Sequence, residues 1–237
     1  MQPLQGPWVL DQLGHAGAEH LDPEYVAGYD RKSGFDPSGD VAELLLRGLD
    51  GGSTIVDMGC GTGAFVVAVA PHCERVVAVD VSAAMVDQLR RRVDDAGIDN
   101  VEVVHAGFLD YEHVGAPADF VFTRNALHQL PDFWKSLALR RVASMMCRGG
   151  TLWLRDLVYT CEPDEIPGVL EGWFAAAVAD PRRGYTAADL EEHVRLEFST
   201  FSWLLQPMLE HAGFRVADVE VDPRRTYARY ECVLDLV

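Results

Sequence analysis

The sequence predicts an α/β protein built on a seven-stranded, mostly parallel, doubly wound sheet with an antiparallel last strand. Short β-branched segments alternate with helical segments between residues 53 and 158, which is typical of right-handed crossovers and a parallel sheet. Two more strands close the chain, and the turn between them is too short for a crossover helix. A three-glycine loop follows the first strand, at the sheet edge where α/β folds bind ligands.

Two helices are predicted before the first strand. Asp22-Pro23-Glu24 has the pattern of a helix start, with Asp as the N-cap and Pro at the first helical position. Asp36-Pro37 repeats this pattern, and Gly51-Gly52 is predicted to end the second helix. We interpret residues 1–52 as an N-terminal helical lid.

The alternating region begins at residue 53. Its strands are predicted at Ile55–Val56, Val76–Val79, Val101–His105, Phe120–Thr123 and Thr151–Leu157. Its helices are predicted at Ala64–Ala70, from the cap Ser82 to about Ala96-Gly97, and at Asp132–Met146 with Gly149-Gly150 as the stop. Because a helix separates most successive strands, these strands are expected to run parallel.

The end of the chain departs from this alternation. Phe214–Val221 and Tyr227–Leu236 are predicted strands joined by the turn signal D-P-R-R, so they are expected to pair antiparallel. Residues 159–202 form an insertion after the fifth strand, which we interpret as a helical cap on the ligand-binding edge. The core then comprises residues 53–158 and 203–237.

Composition and charge exclude several classes of function. The formal net charge is −17 and Lys occurs only at positions 32 and 135, so nucleic-acid binding lacks the basic surface that it requires. No run of about eighteen apolar residues could cross a membrane, and no signal-peptide pattern is visible. The five cysteines contain no C-x-x-C pair, which argues against both a disulfide framework and a zinc site. We expect a cytoplasmic monomer or homodimer without nucleic-acid or membrane partners.

The glycine loop predicts a nucleoside site. The segment V-D-M-G-C-G-T-G at residues 56–63 is followed by V-V-A-V-D, which ends at Asp80 on the next strand. A carboxylate at the end of this neighbouring strand can accept both hydroxyls of a ribose. The glycines are spaced G-x-G-x-G, and Asp57 before them would repel a dinucleotide's pyrophosphate but attract an ammonium group.

D-x-G-x-G-x-G followed by V-x-x-V-D resembles motifs I and II of the class I S-adenosylmethionine (SAM)-dependent methyltransferases. The family's antiparallel seventh strand also matches the predicted end of this chain, so the resemblance covers about residues 53–237. It implies SAM as the cofactor, S-adenosylhomocysteine (SAH) as the product, and methyl transfer as the reaction.

The resemblance also implies where the cofactor lies. The loop would wrap its methionine part, the second acid would hold its ribose, and residues after the second and third strands would lie against its adenine. The candidate cofactor residues are Tyr29, Asp57, Gly59, Gly61, Gly63, Asp80, Val81, Met85, Gly107, Phe108 and Asn125. Phe108 could equally pack in the core, and Tyr29 could either face the sulfonium or pack its helix onto the sheet.

His128 is the candidate catalytic residue. It lies in N-A-L-H-Q-L-P-D, which resembles the N-x-L-H-x-L-x-D stretch of ubiquinone- and menaquinone-type and small-molecule methyltransferases. A histidine with a pKa near neutrality could accept a proton from the acceptor or hydrogen-bond it. The alternative is that His128 orients this loop beneath the next helix.

The function predicted is methyl transfer to an O or N atom of a small-molecule acceptor, with no metal required. The candidate acceptor-binding residues are Tyr25, His128, Arg155, Trp173, Tyr185 and Trp203. Arg155 could clamp an anionic acceptor or pair with Asp156. The aromatic residues suit a flat or apolar substrate, although some of them must join cap to core. An RNA or protein methyltransferase and a non-catalytic SAM-binding protein remain the alternatives.

Overall fold

The computed structural model describes residue 4 and residues 6–235, and the side chains of all of these except residues 18 and 19. Leu236, the predicted end of the last strand, lies outside the described residues. Among the described residues, no helix has the length and apolar character needed to cross a membrane.

The sheet confirms the predicted fold class. Its strands are β1 Thr54–Met58, β2 Arg75–Asp80, β3 Val101–His105, β4 Ala118–Arg124, β5 Met146–Tyr159, β6 Thr200–Phe201, β7 Phe214–Val221 and β8 Tyr227–Leu234. The order is β3-β2-β1-β4-β5-β8-β7, and the two-residue β6 pairs with the end of β5. The last strand, β8, inserts between β5 and β7 and runs antiparallel to both. All other pairs are parallel.

Eight α-helices connect and cover these strands in the described part of the chain. They are α1 Pro23–Ser33, α2 Ser38–Leu46, α3 Ala64–Val69, α4 Ala83–Ala96, α5 Asp132–Met145, α6 Ile166–Ala175, α7 Ala187–Leu196 and α8 Ser202–Ala212. Local capping explains two of the starts, since the side chains of Asp22 and Ser82 accept hydrogen bonds from the N–H groups of Glu24 and Met85.

Two glycine pairs differ from their predicted roles as helix stops. Helix α2 ends at Leu46, before Gly51-Gly52, because Gly48 already takes a left-handed φ of 94°. Helix α5 ends at Met145, and Gly149-Gly150 lies inside β5. There the register with β4 shifts, and a Cβ on Gly150 would be 3.0 Å from the carbonyl oxygen of Asp119. This second pair therefore permits a close strand-to-strand approach.

Apolar layers lie on both faces of the sheet. One contains Leu109, Leu139 and Leu152, all fully buried, and the other is centred on Phe65 and Phe122, whose rings stack 3.6 Å apart. Burying each of these side chains stabilises the fold by about 1.5–3 kcal/mol. The two layers fix the strands rigidly, so residues at the strand ends are held in place.

Both flanking segments contact the carboxyl edge of the sheet. The N-terminal segment is tied to α4 where Ser82 Oγ donates to the carbonyl of His20 at 2.7 Å. The insertion is tied to the loop after β4 where Phe198 N donates to the carbonyl of His128 at 2.8 Å. The division into lid, core and cap stays a prediction, and these contacts are compatible with it.

Candidate functional site

The glycine loop is held against β2 by backbone hydrogen bonds. Gly59 N donates to the carbonyl of Val79 at 2.8 Å, and Gly61 N donates to Asp80 Oδ2 at 2.8 Å. Gly59 has a φ of 79°, and a Cβ there would lie 2.3 Å from the Cβ of Ala126. The loop can therefore pass this close to the segment after β4 only because this position lacks a side chain.

Two carboxyl groups flank the loop, and they differ in position. Asp80 lines the cavity beside the loop, and its other oxygen accepts from Ser82 N at 2.8 Å. Burial raises the pKa of Asp80, while these two backbone N–H donors oppose that rise. Asp57 is buried below the loop and does not line the cavity. Burial, and then the nearby charge of Asp80, raise the pKa of Asp57 well above its usual range.

A cavity opens beside this loop at the carboxyl ends of β1, β2 and β4. Its lining includes nine of the residues predicted for the cofactor, namely Tyr29, Gly59, Gly61, Asp80, Val81, Met85, Gly107, Phe108 and Asn125. Gly63 does not line it: a Cβ there would meet Leu89 Cδ1 at 2.1 Å, so this glycine permits packing of the loop on α4.

The N-terminal segment supplies lining residues that the sequence did not indicate. Gln12, Ala16 and His20 all face this cavity. Gln12 is fixed by accepting from Leu109 N at 2.9 Å and donating to Asp110 Oδ1 at 3.0 Å. No motif marks these positions, because they precede the first regular α-helix and reach the cavity only through the tertiary fold.

A group of aromatic side chains adjoins the cavity. Tyr29 lines it and lies 5.6 Å from the His20 ring and 6.2 Å from the Tyr25 ring, centroid to centroid. Lys32 Nζ is 5.2 Å from the centroid of Tyr25 and 5.0 Å from that of Tyr185. Tyr25 and Tyr185, both predicted to bind the acceptor, therefore sit next to the cavity lining but outside it.

The two predicted tryptophans lie away from this cavity. Trp173 is 6 % exposed and packs with Leu157 and Leu190 in a small apolar cluster between the insertion and β5. Trp203 is 48 % exposed and stacks on Phe201, with ring centroids 5.3 Å apart. Trp173 thus occupies the seam that joins insertion to core, and the acceptor contacts predicted for both residues gain no support from their positions.

Arg155 borders a second cavity. Its neighbour in the register of β4 and β5 is Arg124, which lines both cavities. Arg155 makes no ion pair with Asp156, whose carboxylate instead binds His128. Within residues 6–235, no carboxylate lies at ion-pair distance from either guanidinium, and Arg124 Nη1 is buried without a hydrogen-bond partner.

His128 is buried between two carboxylates. Its Nδ1 contacts Asp156 Oδ1, its backbone N donates to Asp156 Oδ2 at 3.0 Å, and its Nε2 lies 2.8 Å from Glu197 Oε2. Burial alone would lower the pKa of His128, but Asp156 and Glu197 outweigh it and raise the pKa to about 9. A protonated imidazole has no free nitrogen to accept a proton. The geometry therefore favours the second interpretation, in which His128 orients its loop.

The insertion contributes partners of His128 that the sequence did not single out. His193 Nδ1 lies 2.7 Å from the same Glu197 Oε2, and the rings of His128 and His193 are 5.1 Å apart. Burial would raise the pKa of Glu197, but the two histidines outweigh it and lower that pKa strongly. The H-x-x-x-E spacing was the available signal: His193 lies in the last turn of α7, and Glu197 is the residue that follows the helix.

Residues 55–150 match the family model described as "Methyltransferase domain". Demethylmenaquinone methyltransferase from Listeria welshimeri is 25% identical over 191 residues, which cover 79% of this chain and 76% of that protein. These matches include the glycine loop, both acids and the segment around His128.

Solved structures share the fold. Magnesium protoporphyrin IX methyltransferase from Synechocystis PCC 6803, crystallised with SAM, aligns with a TM-score of 0.64 at 17% identity, covering 96% of this chain and 99% of that one. A SAM-dependent methyltransferase from Aquifex aeolicus aligns with a TM-score of 0.57 at 22% identity, covering 90% and 98%. The matches confirm the class I fold that the sequence predicted.

Proposed function

We propose that this chain, which is a SAM-dependent methyltransferase, transfers the methyl group to an oxygen or nitrogen atom of a small-molecule acceptor. The observation that carries the proposal is the lining of the cavity beside the glycine loop. The N-terminal residues Gln12, His20 and Tyr29 line it together with Gly59 and Gly61 of the loop. A cavity lined by residues from separate segments of the chain suits a small acceptor better than it suits a polymer.

The relatives are compatible with a small acceptor. The names of two of them, demethylmenaquinone methyltransferase and magnesium protoporphyrin IX methyltransferase, refer to small molecules. The low identity leaves the acceptor of this chain to be identified from its own site.

The unpaired arginines indicate the character of that acceptor. Arg124 and Arg155 are adjacent on neighbouring strands, and Arg124 lines both the cofactor cavity and the second cavity. Acidic residues also line the second cavity, but they have partners of their own: Asp40 accepts from Trp153, and Asp222 accepts from backbone N–H groups. We expect the two guanidiniums to bind a carboxylate or phosphate group on the acceptor.

Catalysis on this proposal depends mainly on alignment. Methyl transfer from a sulfonium is an in-line displacement, so the enzyme must hold the acceptor atom opposite the departing sulfur and exclude water. The N-terminal segment and the insertion, both at the carboxyl edge, are placed to enclose the two substrates.

Release of SAH from SAM with a panel of acceptors tests this function. We expect turnover with small hydroxyl or amine compounds that carry an anionic group. The Arg155→Ala variant should lower kcat/KM for these acceptors by about 10–100-fold. Arg90→Ala, which alters an exposed arginine on α4, is the matched control and should leave it unchanged. Turnover of RNA or protein substrates alone would refute the small-molecule assignment, and SAM binding without turnover of any substrate would indicate a non-catalytic protein.

A further inference from the structure

We propose that His128, His193 and Glu197 bind one divalent transition-metal ion, with zinc as the best-suited metal. Two imidazole nitrogens and a carboxylate oxygen form a donor set that zinc uses in catalytic sites. The binding of the ion does not depend on the identity of the methyl acceptor.

The donor atoms converge on one point. His128 Nε2 and His193 Nδ1 lie 2.8 Å and 2.7 Å from the same oxygen, Glu197 Oε2. One ligand atom from each residue lies within 4.8 Å of the others. Ligands bound at about 2.0–2.1 Å in a tetrahedral site are about 3.3 Å apart, so small side-chain rotations would open room for the ion.

In each histidine, the ring nitrogen that does not face Glu197 also has a polar partner, as is usual for metal-binding histidines. The far nitrogen of His128, Nδ1, contacts Asp156, and the far nitrogen of His193, Nε2, lies 2.7 Å from Ser199 Oγ. Such partners fix the ring orientation and the tautomer that points the free nitrogen at a metal. Two independent supports of this kind make a prearranged pair of ligands.

A single carboxylate oxygen of Glu197 has three close neighbours. Besides the two histidines, Gln129 Nε2 lies 3.1 Å from Glu197 Oε2, so three donors are directed at one carboxylate oxygen. A divalent ion between these groups would let both imidazole nitrogens and the carboxylate oxygen donate lone pairs to one centre.

The site adjoins the cofactor cavity through Gln129, which lines that cavity and contacts both His128 and Glu197. Three protein ligands leave a fourth position for water or substrate. A role in catalysis rests on the proposed function: these three residues would hold an ion that could lower the pKa of an acceptor hydroxyl bound at that position.

Metal content and zinc affinity test the site directly. The full-length protein would be treated with a chelator, loaded with Zn²⁺, dialysed and analysed for metal, and its affinity measured against a chromogenic chelator. We expect about one equivalent of zinc, and at least about 100-fold weaker binding in His193→Ala and in Glu197→Gln. Glu197→Gln keeps the size of the side chain and protects the test against misfolding. His211→Ala, which alters an exposed histidine on α8, is the matched control and should bind as the wild type does.

Cobalt loading provides a spectroscopic check, since Co²⁺ in a site of low coordination number gives visible absorption bands that the Glu197→Gln variant should lose. SAM binding to every sample, measured by calorimetry, shows whether the cofactor site is intact. Wild-type protein that retains no more metal than Glu197→Gln while still binding SAM would overturn the metal site and leave the proposed function standing. Zinc binding without SAM binding would support the metal site and contradict the proposed function.

Discussion

Asp80 is the residue that links the glycine loop to the cofactor. It lies at the end of β2, holds the loop through Gly61 N, and faces the cavity. Its position follows from the sequence alone, because the β-branched strand before it and the loop spacing are both local patterns. We expect its carboxylate to accept the ribose hydroxyls of SAM.

SAM affinity should depend on pH through Asp80. Burial raises the pKa of this carboxyl, so protonation begins at a higher pH than for an exposed aspartate. Affinity should be complete above the raised pKa and decrease as the pH falls through it, because a protonated oxygen loses an acceptor site. Calorimetric titration from about pH 8 to about pH 5 measures this. Asp80→Asn should bind more weakly and without this pH dependence; an unchanged pH profile in that variant would refute the assignment.

His128 shows that a sequence motif can leave the role of a residue open. The motif makes it a candidate site residue, but its environment depends on Asp156, 28 residues away, and Glu197, 69 residues away. Contacts between residues so far apart in the chain cannot be predicted from sequence spacing. The contacts of His128 with two carboxylates favour an orienting role over that of a proton acceptor.

The loop between β1 and α3 is the element with the strictest requirements on residue type. Gly59 and Gly63 both have left-handed φ angles, and both lack room for a side chain. Gly97, at the end of α4, is also left-handed with a φ of 62°, but no atom within 4 Å would meet its Cβ. Comparing Gly63 with Gly97 therefore separates the free-energy cost of a left-handed backbone from that of a steric clash.

Gly63→Ala should destabilise the protein much more than Gly97→Ala. The second substitution adds only left-handed strain, about 1–2 kcal/mol, because its Cβ would meet nothing. The first adds a contact at 2.1 Å with Leu89, so we expect a loss of about 3 kcal/mol or more and weakened SAM binding. Urea unfolding of both variants measures the difference. Equal losses would show that the packing of the loop on α4 has been overestimated.

Enclosure of the cofactor is a property of the whole molecule. The N-terminal segment forms part of the cavity wall, while the insertion contacts the loop after β4. Few regular elements hold the chain before α1, where only short 3₁₀ turns occur among the described residues. We therefore expect this part of the chain to open and close around SAM.

Hydrogen exchange should detect this closure. Addition of SAM should slow amide exchange in residues 12–29 and in the loop at residues 59–63, because the ligand bridges them. Exchange in β7, at the far edge of the sheet, should not change and is the internal control. Slowing confined to residues 59–63 would contradict the role of the N-terminal segment as a lid.

Local patterns predicted most of the fold. The bounds of Val101–His105 and Phe214–Val221 agree with the structure because turn residues and β-branched runs define them within a few positions. Gly149-Gly150 was interpreted as a helix stop because its actual role depends on β4, which is distant in sequence. The cavity-lining role of Gln12 and the partners of His128 could not be predicted from the sequence for the same reason.

The central claim is that the cavity beside the glycine loop binds SAM. Calorimetric titration of wild type and Asp80→Ala with SAM, SAH and NAD tests it most directly. We predict micromolar binding of SAM and SAH, none of NAD, and a weakening of about 10–100-fold by the substitution, since hydrogen bonds to a carboxylate are removed. Absence of SAM and SAH binding, or an affinity unaffected by Asp80→Ala, would contradict the account.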